Sequence, residues 1–333
     1  MPLPFILAGA ALAAAGYGVK KGVDAKDDFD TAEYNNDKAK SIYDEAEEKL
    51  EDRKRVTNDS LEELGFLKAS IYDKSLDDFM DIFEKIKNID FEDNLALGTL
   101  SNIDKQDMLD IKNTVLEMKE VLGGGVAALG SGALAGFGAL GGVGVLASAS
   151  TGTAIASLSG VAATNATLAW LGGGSLAAGG FGMAGGMAVL GGIVAGPVLA
   201  VGGAMMAAKA ETAKYDSYSN LEKAKAAEEE MDSACVVLDG IYRRCVEFID
   251  VLEPLNEELE DYIEKMEKVV DKSIDYRTYT QSEKEIIMIT ASIAKTVKNI
   301  CDAPVIDENG EVTRKSKRVL RKARKLTDKL EEV

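Results

Sequence analysis

At 333 residues and a formal net charge of -18, the chain is acidic and contains 5 prolines, 3 cysteines and no histidine. Without histidine, Ser-His-Asp and Cys-His nucleophile activation and histidine metal ligation are excluded, and Cys235, Cys245 and Cys301 have no C-x-x-C spacing and fit a reducing compartment better than a disulfide framework. Ala, Glu, Lys, Asp and Leu dominate outside the centre, which predicts an all-α protein of long amphipathic helices, and its acidic arms argue against nucleic acid as a partner.

Residues 1–19 are apolar and are followed directly by Lys20 and Lys21. The lysines lie on the wrong side of the apolar run for a secretion signal. The segment is therefore either a helix packed on the glycine-rich centre or an anchor with Lys20 and Lys21 at a membrane interface. Residues 20–120 form an acidic arm with 16 basic and 28 acidic side chains. Apolar positions recur at helical spacing, as in Ala39, Ile42, Ala46 and Leu50, then Leu61, Leu64, Leu67 or Lys68, and Ile71. This predicts one long helix over 24–87, bent at Gly65. Residues 88–94 break the pattern, and a second helix is expected from Ser101 or Asp104, both suitable start residues.

Residues 121–208 hold 88 consecutive positions without a charge, between Glu120 and Lys209, and 25 of the chain's 33 glycines. In water so much glycine opposes helix formation; in lipid the backbone must satisfy its own hydrogen bonds and small residues let helices approach closely. Val121 to Ala147 and Phe181 to Ala208 are each long enough to span a bilayer, with Trp170 at an interface between them. Gly180, Ala184, Ala188, Gly192, Gly196, Ala200 and Ala204 repeat every four residues, and Gly132, Gly136, Gly138 and Gly142 give shorter examples. They form a candidate helix-packing face, within one chain or between copies in a homo-oligomer. Gly136 to Gly141 also spells G-x-G-x-x-G, but no acid follows before Glu211, so it is not read as a dinucleotide site.

Residues 209–303 form a second acidic arm with 13 basic and 22 acidic side chains. One helix is expected to about Val270 with a kink at Pro254, and another over Glu283 to Ile300 opened by Thr280 or Ser282. An even-crossing central hairpin would pack the arms 24–87 and 209–270 as antiparallel helices. Residues 304–312 carry a turn signal that suits a small hairpin. The last helix, Arg314 to Leu330, is basic, and Arg314, Lys315, Lys317, Arg318, Arg321, Lys322, Arg324 and Lys325 suit an anionic membrane surface, or else the acidic arms of the same chain.

Together, Met1-Pro2-Leu3-Pro4, Ala15 to Gly22 and Ala163 to Gly180 resemble a family of uncharacterised bacterial Gly/Ala-rich helical proteins with a hydrophobic hairpin, loosely labelled chemotaxis-like. The resemblance covers most of the chain but implies no activity. In layout the chain is similar to apolipoprotein L and to cytolysin A-type helical pore formers. The expected function is that of a membrane-inserting helical protein, pore-forming or membrane-remodelling, whose hairpin is shielded by the arms, membrane-associated with the arms on the cytoplasmic side. The alternatives are a membrane-anchored helical scaffold and a soluble cytoplasmic bundle. No catalytic constellation, cofactor site or metal site is expected.

Overall fold

The protein, described here from a computed structural model, is all-α, and its described residues are 19–91, 103–123, 125–126, 129, 131–141, 213–307 and 310–330. The helices are α1 (Val19–Asp73), α2 (Ser75–Phe83), α3 (Lys105–Val121), α4 (Ser131–Leu140), α5 (Ala213–Val270), α6 (Gln281–Cys301) and α7 (Arg314–Leu330). The chain divides into two compact units: residues 1–52 with 193–235, and residues 53–192 with 236–333.

In the first unit, α1 and α5 pair along a seam of small residues. Ala32, Ala39 and Ala46 are buried on α1, and Ser217, Asn220, Ala224, Ala227, Met231 and Ala234 are buried on α5. The α5 positions alternate steps of three and four, the spacing of a coiled-coil seam. Its register is marked by polar pairs: Asn35 donates to Ser217 Oγ at 3.3 Å, Asn220 donates to Asn36 Oδ1 at 3.1 Å, and Lys49 meets Asp232 at 2.8 Å. Later residues of α1 thus meet later residues of α5, so the two helices are parallel.

The second unit is a helical bundle around one apolar core. Leu61, Leu64, Ile71 and Tyr72 of α1 enter it with Leu76 and Phe79 of α2, Ile111 and Met118 of α3, Phe137 of α4, Cys245, Phe248 and Leu252 of α5, and Ile287 and Ile293 of α6. Here too the order is parallel, with Arg53 beside Asp239 at 3.0 Å and Ser75 of α2 donating to Glu260 at 2.9 Å. Two helices begin with reciprocal capping boxes: Asp104 with Asp107, and Thr280 with Glu283. The Glu283 carboxyl is held down near 2, first by Lys272 and then by the Thr280 backbone.

α4 lies against α1 at backbone contact. A Cβ on Gly65 would collide with the Leu134 carbonyl, and a Cβ on Gly138 would collide with the Leu61 carbonyl. The carbonyls at the end of α4, which have no partner within the helix, are bound from outside. Gly138 O accepts from Lys68 Nζ at 3.2 Å, and Ala139 O accepts from Val305 N at 2.7 Å and Ile306 N at 3.2 Å. Gly141, at φ +60, turns the chain so tightly that a Cβ there would lie 2.8 Å from the Cys301 carbonyl oxygen.

Several expectations are corrected. The arms pair in parallel, because complementary seams and not an assumed hairpin set their direction. The helix expected over 24–87 ends at Asp73, and α2 follows as a separate helix. Gly65 lies inside the continuous α1 and is a contact point with α4. The run from Val121 to Ala147 is not one helix: α3 ends at Val121, Gly125 takes φ +81, and α4 has only 10 residues. At about 1.5 Å per residue α4 is roughly 15 Å long, half the ~30 Å of a bilayer core. No helix among the described residues is long and apolar enough to cross a membrane. The segment 304–312 forms one antiparallel bridge, Ile306 with Val312, and no strand pair. Helix α5 runs to Val270 with Pro254 inside it, in agreement with the single helix expected there.

The Gly65 and Gly138 contacts make a direct prediction. Gly65→Ala and Gly138→Ala should each destabilise the protein by about 2–4 kcal/mol in urea unfolding, because backbone rather than a flexible side chain must move. Gly240→Ala in α5, whose Cβ would meet only Val312 Cγ2 at 3.9 Å, should instead stabilise by about 0.5–1 kcal/mol through helix propensity. Equal effects at the three positions would contradict the close contact.

Candidate functional site

The basic helix α7 is placed by its uncharged side. Thr313 opens it: its Oγ1 accepts from Ser316 N at 3.0 Å and donates to Pro304 O at 2.6 Å, while its N–H donates to Val305 O at 2.9 Å. Leu320, Ala323 and Leu326 are buried, and α7 packs on α6. With the apolar stripe turned inward, all eight cations between Arg314 and Lys325 are exposed. None of them forms an ion pair among the described residues. Elsewhere cations do bridge elements: Lys119 meets Asp77 at 2.5 Å, and Lys295 meets Asp107 at 2.7 Å.

Between α5 and α7 runs a groove of about 810 Å³. Arg244 and Glu247 line it from α5, and α7 contributes all four of its arginines together with Lys317, Lys325, Leu320 and Asp328. Arg244 is largely buried, with its Nε 3.4 Å from Glu247 Oε2. Its Nη1 is buried with no hydrogen-bond partner. The arrangement concentrates positive charge in a concave site on an acidic chain, where it can attract and hold an anion.

A second constellation lies in the core of the same unit. Lys68 is 0% exposed; its Nζ donates to Gly138 O and, at 3.3 Å, to Ala303 O, and stands 5.0 Å from the centre of the Phe248 ring. Burial pushes its pKa down from 10.5 to about 8, the nearby Cys301, Cys245 and Asp302 opposing that shift. Burial pushes the Cys245 thiol up to about 12 and Cys301 further up. Both stay protonated and are poor nucleophiles. Tyr72 donates to Asp302 Oδ1 at 2.6 Å, and burial first, then Asp302, raises its pKa. The cluster ties α1, α4 and the end of α6 together.

Comparison with protein-family models, with curated proteins and with solved structures gives no match for the chain. The functional reading therefore rests on the site itself.

Of the residues singled out in the sequence, the eight cations of α7 are brought onto one exposed helix. Gly136 and Gly138 are buried in α4, where Gly138 packs on α1 within the bundle, and Gly132 lies in the same helix. Lys20 and Lys21 lie in the first turn of α1. Gly142, Trp170, Gly180, Ala184, Ala188, Gly192, Gly196, Ala200 and Ala204 lie outside the described residues. Sequence reasoning did not find Arg244, although Arg243-Arg244 is a paired cation in an acidic arm. It left Lys68 open against Leu67 for the inward position, and Lys68 holds it. Among the described residues no group of three or more acidic or thiol side chains could hold a metal ion.

Lys68 carries a pH prediction. Because its folded pKa lies below its unfolded value, its contribution to stability is full above about 10.5 and is lost as pH falls through about 8. Wild type measured against Lys68→Met should show a constant stability difference below pH 8 and then gain up to about 1.4 kcal/mol per pH unit between 8 and 10. Urea titrations at several pH values check this; a difference independent of pH over that range would refute the depressed pKa.

Proposed function

We propose that the protein binds anionic membrane surfaces through α7 and inserts the uncharged segment that follows α4, acting as a membrane-inserting helical protein of pore-forming or membrane-remodelling type. The observation that carries the first half is the set of eight exposed cations that form no ion pair among the described residues, on an otherwise acidic chain. Each cation near an anionic surface contributes about 1 kcal/mol. Docking on the chain's own acidic arms is the competing explanation, and it loses support because α7 is held by Leu320, Ala323 and Leu326 instead. The second half draws support from composition, since residues 142–208 contain no charged side chain. It also draws on α4, where the start of the uncharged run is sheltered by α1 through small-residue contacts of the kind that suit either a bundle or lipid.

Deleting α7 would strip cover from α6, so charge neutralisation is the cleaner test. Changing Arg318, Arg321, Lys322 and Lys325 to glutamine should weaken cosedimentation with phosphatidylserine vesicles by about 100-fold or more at low salt. Phosphatidylcholine vesicles should be unaffected, added salt should mimic the variant, and the melting temperature should hold. Equal binding of both proteins to anionic vesicles would overturn the surface reading. Resistance of bound protein to alkaline carbonate supports insertion; full extraction would leave a peripheral scaffold.

A further inference from the structure

We propose that the groove between α5 and α7 is a specific site for a phosphomonoester group, on a lipid headgroup or a soluble phosphate compound. The inference rests on the reading of α7 as an anion-binding face and adds a recognised group to it.

All four arginines of α7 line the groove with Lys317 and Lys325, whereas of the eight cations between Arg314 and Lys325 the two that do not line it, Lys315 and Lys322, are lysines. A general electrostatic surface works equally well with either residue. Guanidinium differs by presenting a planar fork of donors that matches phosphate oxygens in pairs, so a groove lined by all four arginines of α7 and by Arg244 suits recognition as well as attraction.

Arg244 forms the opposite wall. It comes from a different helix, faces the same groove, and leaves Nη1 buried without an acceptor. Its single carboxylate contact, Glu247 at 3.4 Å from Nε, is long for a charge-assisted hydrogen bond. A guanidinium on this wall with only one long carboxylate contact keeps donor capacity for a bound oxyanion. A phosphomonoester suits several converging forks, because it concentrates three oxygens and nearly two charges at one point. A carboxylate or a phosphodiester offers two free oxygens and one charge. Glu247 and Asp328, which also line the groove, select for a ligand charged enough to outweigh their repulsion.

The test uses the full-length protein and vesicles of phosphatidylcholine carrying either phosphatidic acid or phosphatidylserine at matched surface charge. Wild type should bind the phosphatidic acid vesicles about tenfold more tightly, the gain expected from one or two good guanidinium-to-phosphate bonds. The charge-preserving double variant Arg318→Lys with Arg321→Lys, at exposed positions, should lose that preference while still binding phosphatidylserine vesicles, and Arg244→Gln should lose it too. Lys315→Gln with Lys322→Gln should weaken both kinds of binding and keep the preference. Competition by inorganic pyrophosphate identifies a free phosphate as sufficient, and its absence identifies the lipid headgroup; either agrees with the site. No preference in wild type, or a preference that survives Arg318→Lys with Arg321→Lys, overturns it. If wild type binds no anionic vesicle, the membrane reading fails by itself. Calorimetric titration with inorganic pyrophosphate then decides the groove: binding abolished in Arg244→Gln supports it, and no binding overturns it.

Discussion

The second unit depends on the backbone contact between α1 and α4. Two glycines, Gly65 and Gly138, let the helices meet with carbonyls against Cα hydrogens, and no side chain could occupy either position without moving a helix. That closeness has an electrostatic consequence. It brings the end of α4, where unpaired carbonyls give a helix its negative pole, next to Lys68, three residues beyond Gly65 on α1. The ammonium takes one carbonyl from α4 and one from Ala303, while the backbone of Val305 and Ile306 takes Ala139. A buried lysine is costly to desolvate, and its lowered pKa is the record of that cost. It is compensated by the two carbonyls that accept from it and by the Phe248 ring beside it.

From that node the order is passed outward. Residues 303–306 are fixed against α4, Thr313 is tied back to Val305 and Pro304, and Thr313 caps α7. The direction in which the basic helix leaves the core is thus set by hydrogen bonds that begin at α4. Its rotation about its own axis is set by Leu320, Ala323 and Leu326. The eight cations between Arg314 and Lys325 stay exposed and form no ion pair among the described residues.

Local signals in the sequence were reliable wherever a few adjacent residues decide the outcome. Asp104, Thr280 and the start of the last helix at Arg314 were readable because a cap needs only an oxygen and the three residues after it. Long-range geometry was not readable in the same way. The parallel sense of α1 and α5 is written in two seams nearly two hundred positions apart, matching Asn35 to Ser217 and Lys49 to Asp232, and one strand of that match says nothing about direction. Gly65 looked like a weak point in a helix because propensity counts only the helix that contains it, whereas its value lies in the helix that approaches it. Lys68 satisfied the apolar spacing as well as Leu67, but charge alone argued against its burial, and the carbonyls that accept it come from residues 70 and 235 positions away.

The same distinction bears on the candidate site. Eight cations in twelve residues were visible as a basic helix, and their amphipathic spacing already gave them an outer face. What composition could not supply was the partner wall. Arg244 sits among acidic residues of α5, and only the packing of α7 turns it from one exposed-looking cation into the wall of a groove opposite four arginines. In water, cations on an open helix are screened within about 8–10 Å and discriminate poorly between anions. Set around a concavity with a guanidinium from a second helix on its wall, the same charges gain geometry as well as sign, and geometry is what separates binding to one chemical group from adsorption to any negative surface.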